Sequence, residues 1–121
     1  MKLFLLFSHT IIPTQKSYAK DILRASEFVT LPKELQTLFS NVPPELEDLK
    51  DYAKPIIEFL NINASKGDYV LIQGDFGLSF LVVEFCKNNN LIPIYATTKR
   101  VAYEKDGVKV SRFEFVRFRK Y

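Results

Sequence analysis

Asp68-Tyr69-Val70-Leu71-Ile72-Gln73-Gly74-Asp75-Phe76-Gly77-Leu78-Ser79-Phe80-Leu81-Val82-Val83-Glu84-Phe85-Cys86-Lys87 carries the most structural information in this chain. Asp68 to Gln73 is strongly apolar and of strand length. Gly74-Asp75-Phe76-Gly77 forms a tight connection. Leu78 to Lys87 then places Leu78, Leu81, Val82 and Phe85 on one helical face and Phe80 and Val83 on another. A helix this apolar is expected to be buried on most sides. A continuously apolar strand feeding such a helix is the building unit of a parallel sheet covered on both faces.

Outward from this unit the pattern repeats. Leu3 to Phe7 is a second apolar run, and Tyr18, Ala19, Ile22 and Leu23 predict a helix over Thr14 to Leu23. Glu27 to Leu31 reads as a short strand ended by Pro32, and Lys33 to Phe39 as a turn or two of helix. Pro43-Pro44 signals a helix start. Leu46, Leu49, Ala53, Ile56 and Leu60 follow as one amphipathic stripe, within which Pro55 should kink or restart the helix. Asn88, Asn89 and Asn90 close the helix of the central unit, and Leu91 to Ala96 is a further strand. Val101 to Lys105 and Val108 to Val110 flank Asp106-Gly107, a strong hairpin signal. The break in the two-residue period between Val110 and Phe113 predicts a bulge near Ser111 or Arg112. The alternation gives the fold class: a three-layer, Rossmann-like α/β domain spanning residues 1–121. Its sheet is mostly parallel, and the closing β-hairpin makes it mixed.

At 121 residues the chain is one domain, and at 47% apolar residues it is far from a disordered composition. Cys86 is the single cysteine, so no internal disulfide framework exists; it reads as a core residue and fits a reducing cytoplasm. With one histidine as well, a zinc site of the usual cysteine and histidine type is excluded, and no metal or cofactor is expected. The apolar run at Leu3 to Phe7 is shorter than the ~7–15 residues of a signal core, and no stretch approaches the ~18 of a membrane span. The net charge of +3 conceals an asymmetry: Lys99 to Tyr121 holds eight basic and three acidic residues, +5, and the rest of the chain nine and eleven, −2. Such a concentration points to an anionic partner, phosphate foremost, against the plainer reading of a solvated strand face.

In parallel sheets, ligands bind outside the carboxyl ends of the strands. Three runs gather there: Ser8-His9-Thr10, Gln73-Gly74-Asp75-Phe76-Gly77, and Thr97-Thr98-Lys99-Arg100. Gly74 and Gly77 allow close backbone approach, and the following helix aims its amino end at the same rim. Lys99 and Arg100 can neutralise phosphate, His9 can move a proton near neutral pH, and Ser8, Gln73, Thr97 and Thr98 offer hydrogen bonds. Each has a structural alternative: a turn for Ser8, turn glycines for Gly74 and Gly77, a helix cap for Asp75, strand extension for Thr97 and Thr98, and sheet packing for Tyr95 and Tyr103.

Taken in order, Leu3-Phe4-Leu5-Leu6-Phe7-Ser8-His9-Thr10, Leu31-Pro32-Lys33-Glu34-Leu35-Gln36, Gly74-Asp75-Phe76-Gly77, Ala96-Thr97-Thr98-Lys99-Arg100 and Val116-Arg117-Phe118-Arg119-Lys120-Tyr121 resemble the small CRISPR-associated Csx-type proteins of type III systems. These look like minimal relatives of CARF domains, which are nucleotide-sensing dimers. The resemblance implies a homodimeric ring nuclease acting on cyclic oligoadenylate, cyclic tetra-adenylate first. His9, Lys99 and Arg100 would be catalytic, and Ser8, Thr10, Gln73, Gly74, Asp75, Phe76, Gly77, Thr97 and Thr98 would bind the ligand. A ribose 2′-hydroxyl would attack the adjacent phosphorus without a metal. The alternatives are a non-catalytic sensor or sponge for the same ligand, and an interaction protein docking on a CRISPR complex through its basic carboxyl-terminal strand. No membrane or duplex DNA partner is expected. The segment Leu31 to Pro44 is a candidate lid over the site.

Overall fold

Five strands and four helices alternate through the computed structural model, which describes residues Met1–Tyr121: β1 (Lys2–Phe7), α1 (Pro13–Asp21), β2 (Glu27–Thr30), α2 (Lys33–Ser40), α3 (Lys50–Asn63), β3 (Tyr69–Gln73), α4 (Phe76–Asn88), β4 (Ile92–Lys105) and β5 (Val108–Lys120). The sheet order is β2-β1-β3-β4-β5. The β2–β1, β1–β3 and β3–β4 pairs are parallel and β4–β5 is antiparallel, the mixed Rossmann-like layout that the alternation predicts.

Strand periodicity divides the core into two layers. Phe4, Leu6, Val70 and Ile72 face α2, α3 and α4, where Phe39, Ile56, Leu60, Leu78 and Val82 complete the packing. Leu3, Leu5, Phe7 and Leu71 face α1 and join Ala19, Ile94 and Phe118. Asp68 is buried at the start of this assembly, with both carboxylate oxygens occupied: Lys2 N–H donates to one at 3.0 Å and Ser65 N–H to the other at 2.9 Å. It therefore ties the beginnings of β1 and β3 together without leaving an unpaired buried oxygen.

The two ends of the sheet differ in length. β4 and β5 have 14 and 13 residues, against 6 in β1 and 5 in β3. β4 pairs with β3 only as far as Ile94, whereas its pairing with β5 continues to Lys105. The outer half of the hairpin is thus a two-stranded arm projecting past the sheet. Asp106 and Gly107 turn it with φ of 54° and 77°, the left-handed pair that a tight hairpin needs.

Several sequence expectations are corrected. Thr97–Arg100 is not a loop at the strand end; it lies inside β4, where threonine and flanking aromatic and β-branched residues suit extended backbone. The bulge falls between Thr97 and Thr98, opposite Val116, rather than at Ser111 or Arg112, which pair regularly. Pro43-Pro44 starts no helix: α3 begins at Lys50, whose N–H is held by the Asp48 carboxylate at 2.8 Å. Pro55 neither ends nor restarts α3. α4 starts at Phe76 and so contains Gly77.

Candidate functional site

α4 follows β3 and packs on β3 and the first residues of β4, leaving part of the β4–β5 surface uncovered. A groove of about 450 Å³ opens between them, walled by Phe76, Phe80 and Val83 of α4 and by Tyr95 and Tyr121 of the hairpin, with Gln73 and Ser79 in its floor. The helix is not buried on most sides, contrary to the reading of its composition: Phe76 is 94% exposed and Phe80 63%. Phe80 faces this groove, and Val83 lies at its edge, half-buried and packed against the core as well. A concave, mostly apolar cleft with a few convergent polar groups is the common form of a small-molecule site.

The groove is held in shape from the hairpin side. The Tyr95 and Tyr121 rings lie 4.9 Å apart, centre to centre. The Tyr121 hydroxyl donates to the Ile72 carbonyl, and its burial, with Tyr95 beside it, holds its pKa above the usual phenol value. Arg119 Nη1 donates to the Tyr95 hydroxyl at 3.0 Å, with its guanidinium 5.6 Å from the ring centre. Pairing of Tyr95 with Arg119, Thr97 with Arg117 and Lys99 with Glu114 sets these residues on the α4 side of the hairpin. The chain's two ion pairs are Lys54–Asp51 and Arg112–Glu114; Arg117 and Arg119 have no carboxylate partner, and Lys99 makes no ion pair although Glu114 stands opposite it across the strands. Aromatic walls and unpaired cations therefore share one face.

The sequence-predicted residues divide into those the structure gathers and those it engages elsewhere. Gln73, Gly74 and Phe76 line the groove. Gly74 is spoken for by the protein itself, because a Cβ there would stand 2.7 Å from the Phe39 ring. Gly77 likewise lies where a Cβ would meet Leu49 at 3.2 Å. Asp75 caps α4, its carboxylate accepting the Leu78 N–H at 3.0 Å. Thr97 Oγ1 donates to the Arg117 carbonyl at 3.0 Å and accepts its N–H at 3.3 Å, which secures the bulge. Ser8 Oγ donates to Ser40 Oγ at 3.1 Å. Ser8, His9 and Thr10 are all exposed beyond β1.

The three expected catalytic residues fall on two sides of the sheet. Neighbours along a strand point to opposite faces, so Lys99 joins Tyr95 on the α4 side while Arg100 joins Ile94 and Ala96 on the α1 side. His9 packs edge-on to Phe7, 6.4 Å between ring centres, and Phe7 belongs to the α1-side core. The candidate lid is a packed element: Leu31 and Phe39 are buried, Gln36 donates to the Phe7 carbonyl at 3.1 Å, and Tyr52 donates to the Leu38 carbonyl at 2.6 Å.

Sequence reasoning missed Ser79, Phe80, Val83 and Tyr121 as site residues and favoured sheet packing over base stacking for Tyr95. The legible signal was the second apolar stripe of α4, which one buried face does not require.

The chain is similar over residues 1–119 to the family described as the uncharacterized protein MJ1673 family. It is also 52% identical over 124 residues to "Uncharacterized protein MJ1673" of Methanocaldococcus jannaschii, a match covering 99% of this chain and 96% of that protein. No solved structure matches the chain. No helix is long and apolar enough to cross a membrane.

Proposed function

We propose that this chain, a member of the MJ1673 family, binds a cyclic oligoadenylate along the groove and hairpin face and opens the ring, acting in the cytoplasm as a ring nuclease of CRISPR signalling. The observation that carries the reading is the placing on one face of the aromatic groove with Arg117 and Arg119, which make no ion pair, and with Lys99, whose cross-strand neighbour Glu114 is bonded to Arg112. Aromatic rings stack on a nucleobase, and arginine engages phosphate oxygens in two-pronged fashion. A groove of about 450 Å³ suits one nucleotide unit rather than a whole ring. A ring with repeated units therefore suits two copies related by a two-fold axis, each offering the same face.

The chemistry asked of the protein is modest. The 2′-oxygen of one ribose attacks the neighbouring phosphorus and the bond from phosphorus to the 5′-oxygen breaks. The 2′-hydroxyl proton is taken up by a base and a proton is delivered to the departing 5′-oxygen, leaving a 2′,3′-cyclic phosphate and a 5′-hydroxyl. Lys99 and the arginines would hold the phosphoryl oxygens and offset the charge that builds on them. His9, at the rim of β1 on the opposite side of the sheet from Lys99, would not reach this phosphate within one copy, so solvent water would take up and deliver the proton. In-line alignment of the ribose supplies a further share of the rate.

The test is incubation of the purified protein with cyclic tetra-adenylate, with and without EDTA, followed by chromatography and mass spectrometry. Linear products ending in a cyclic phosphate, formed in both conditions, are the expected result. An intact ring in solution with no protein-bound fraction would refute the reading. The separation of His9 and Arg100 from Lys99 favours a second reading, capture of the ring without cleavage. It predicts an intact ring that co-elutes with the protein.

A further inference from the structure

The groove floor holds two polar groups that the fold leaves unused. Gln73 Oε1 accepts the Ala96 N–H at 2.9 Å, bridging β3 and β4 just past their last paired residues. A backbone N–H can only donate, so this bond fixes which way the amide is turned. Its Nε2 then presents two N–H donors with no partner in the chain, from a side chain that lines the groove. Ser79, one turn into α4 from the Asp75 cap, is 92% buried by its 8% exposure, and its Oγ has no hydrogen-bond partner. A buried polar atom without a partner is uncommon in folded proteins and calls for an explanation. Both residues line the same aromatic-walled space, with the Ser79 Oγ covered just beneath its surface.

We infer that Gln73 and Ser79 are specificity-determining residues that read the edge of a nucleobase stacked in the groove. This rests on the nucleotide reading above. Gln73 Nε2 is a fixed donor and requires a ring acceptor, which adenine supplies at N1 on one edge and N7 on the other. Ser79 Oγ both donates and accepts, so it can accept a hydrogen bond from the N6 amino group that adjoins either acceptor. A change of Ser79 side-chain rotamer turns Oγ toward the ligand. The aromatic walls give affinity for any base, whereas this pair makes the groove sensitive to the pattern along one edge.

Two variants separate reading from folding. Gln73→Glu keeps an oxygen for the Ala96 N–H but replaces the groove-facing donors with an acceptor. Ser79→Ala removes a hydroxyl that bonds to nothing, so its thermal midpoint should equal or exceed that of the parent. The ligands are cyclic tetra-adenylate and its forms with 1-deazaadenine or 7-deazaadenine, measured by calorimetry. In the parent, one of the two deaza forms should bind about fivefold to tenfold more weakly. In folded Gln73→Glu that penalty should vanish, and Ser79→Ala should weaken the natural ring by a similar factor. If both variants bind cyclic tetra-adenylate like the parent while Arg119→Ala does not, the edge-reading inference is overturned and the groove stands. If the parent binds no cyclic oligoadenylate, the inference falls together with the nucleotide reading.

Discussion

Along β1 and β3 nearly every residue is placed in one of the two cores, whereas along β4 and β5 beyond Ala96 almost none is. Helices cover both faces of the first region, and its polar groups are spent on the fold: Asp68 on Lys2 and Ser65, Gln36 on Phe7, Asp75 on the start of α4. The second region keeps Phe113 and the cations Arg117 and Arg119, which make no ion pair, in water, and the α4 face beside it keeps Phe76 and Phe80 there. Packing density explains the first region. It does not explain the second, where exposed aromatic and cationic groups are retained without the burial that would stabilise them. The core is concentrated at one end of the sheet, and the proposed reading puts recognition at the other.

The largest effect that would expose this division is a core truncation. Phe4, fully buried among α3 and β-sheet side chains, should cost about 3–5 kcal/mol as Phe4→Ala, read from a urea melt. The affinity of the remaining folded protein for cyclic tetra-adenylate should stay at the parent value. The converse is the double charge reversal Arg117→Glu with Arg119→Glu. It should lower that affinity by about a hundredfold, since each phosphate contact is a charge-assisted hydrogen bond, and leave the melt within about 1 kcal/mol. A large loss of stability in this variant would break the comparison.

Smaller effects sharpen it. Phe80→Ser removes a stacking wall that is 63% exposed, so affinity should fall about tenfold while the melt moves by no more than about 0.5 kcal/mol. Cys86 marks the closed region: burial pushes its thiol from 9.0 up to about 12. An exposed-thiol reagent at pH 8 should leave the native protein unlabelled and react only on unfolding. The same shift has a pH signature. Folding favours the neutral thiol, so its contribution is complete below the unfolded value of 9.0 and declines as the pH rises through about 12. Denaturant midpoints across that range should fall less steeply in Cys86→Ala.

How much of this was legible in the sequence follows the same division. Where one face or both faces of an element are buried, hydrophobic spacing encodes it, and β1, α1, β2, α2, β3 and the parallel order emerge from the pattern. The stripe from Ala53 to Leu60 marked α3, although the double proline misplaced its start, because the helix begins only at Lys50, whose N–H the Asp48 carboxylate accepts. The projecting hairpin has no buried face to impose a two-residue period, so the continuity of β4 through Thr97–Arg100 and the bulge at Val116 left no clear signal. The rim argument found Gln73, Gly74 and Phe76 but credited Gly74 to a ligand when it accommodates Phe39. Tyr95 and Tyr121, 26 residues apart, become neighbours only through the hairpin register, which sequence spacing does not reveal.

The most direct test of the division between a stabilising and a recognising end is a titration of the nitrogen-15-labelled protein with cyclic tetra-adenylate, followed by backbone amide shifts. The perturbed amides should cluster at Gln73–Val83, Tyr95–Lys99 and Arg117–Tyr121, with the β1–β2 end of the sheet silent. Shifts confined to β1, β2 and α1, or no shifts at all, would contradict it.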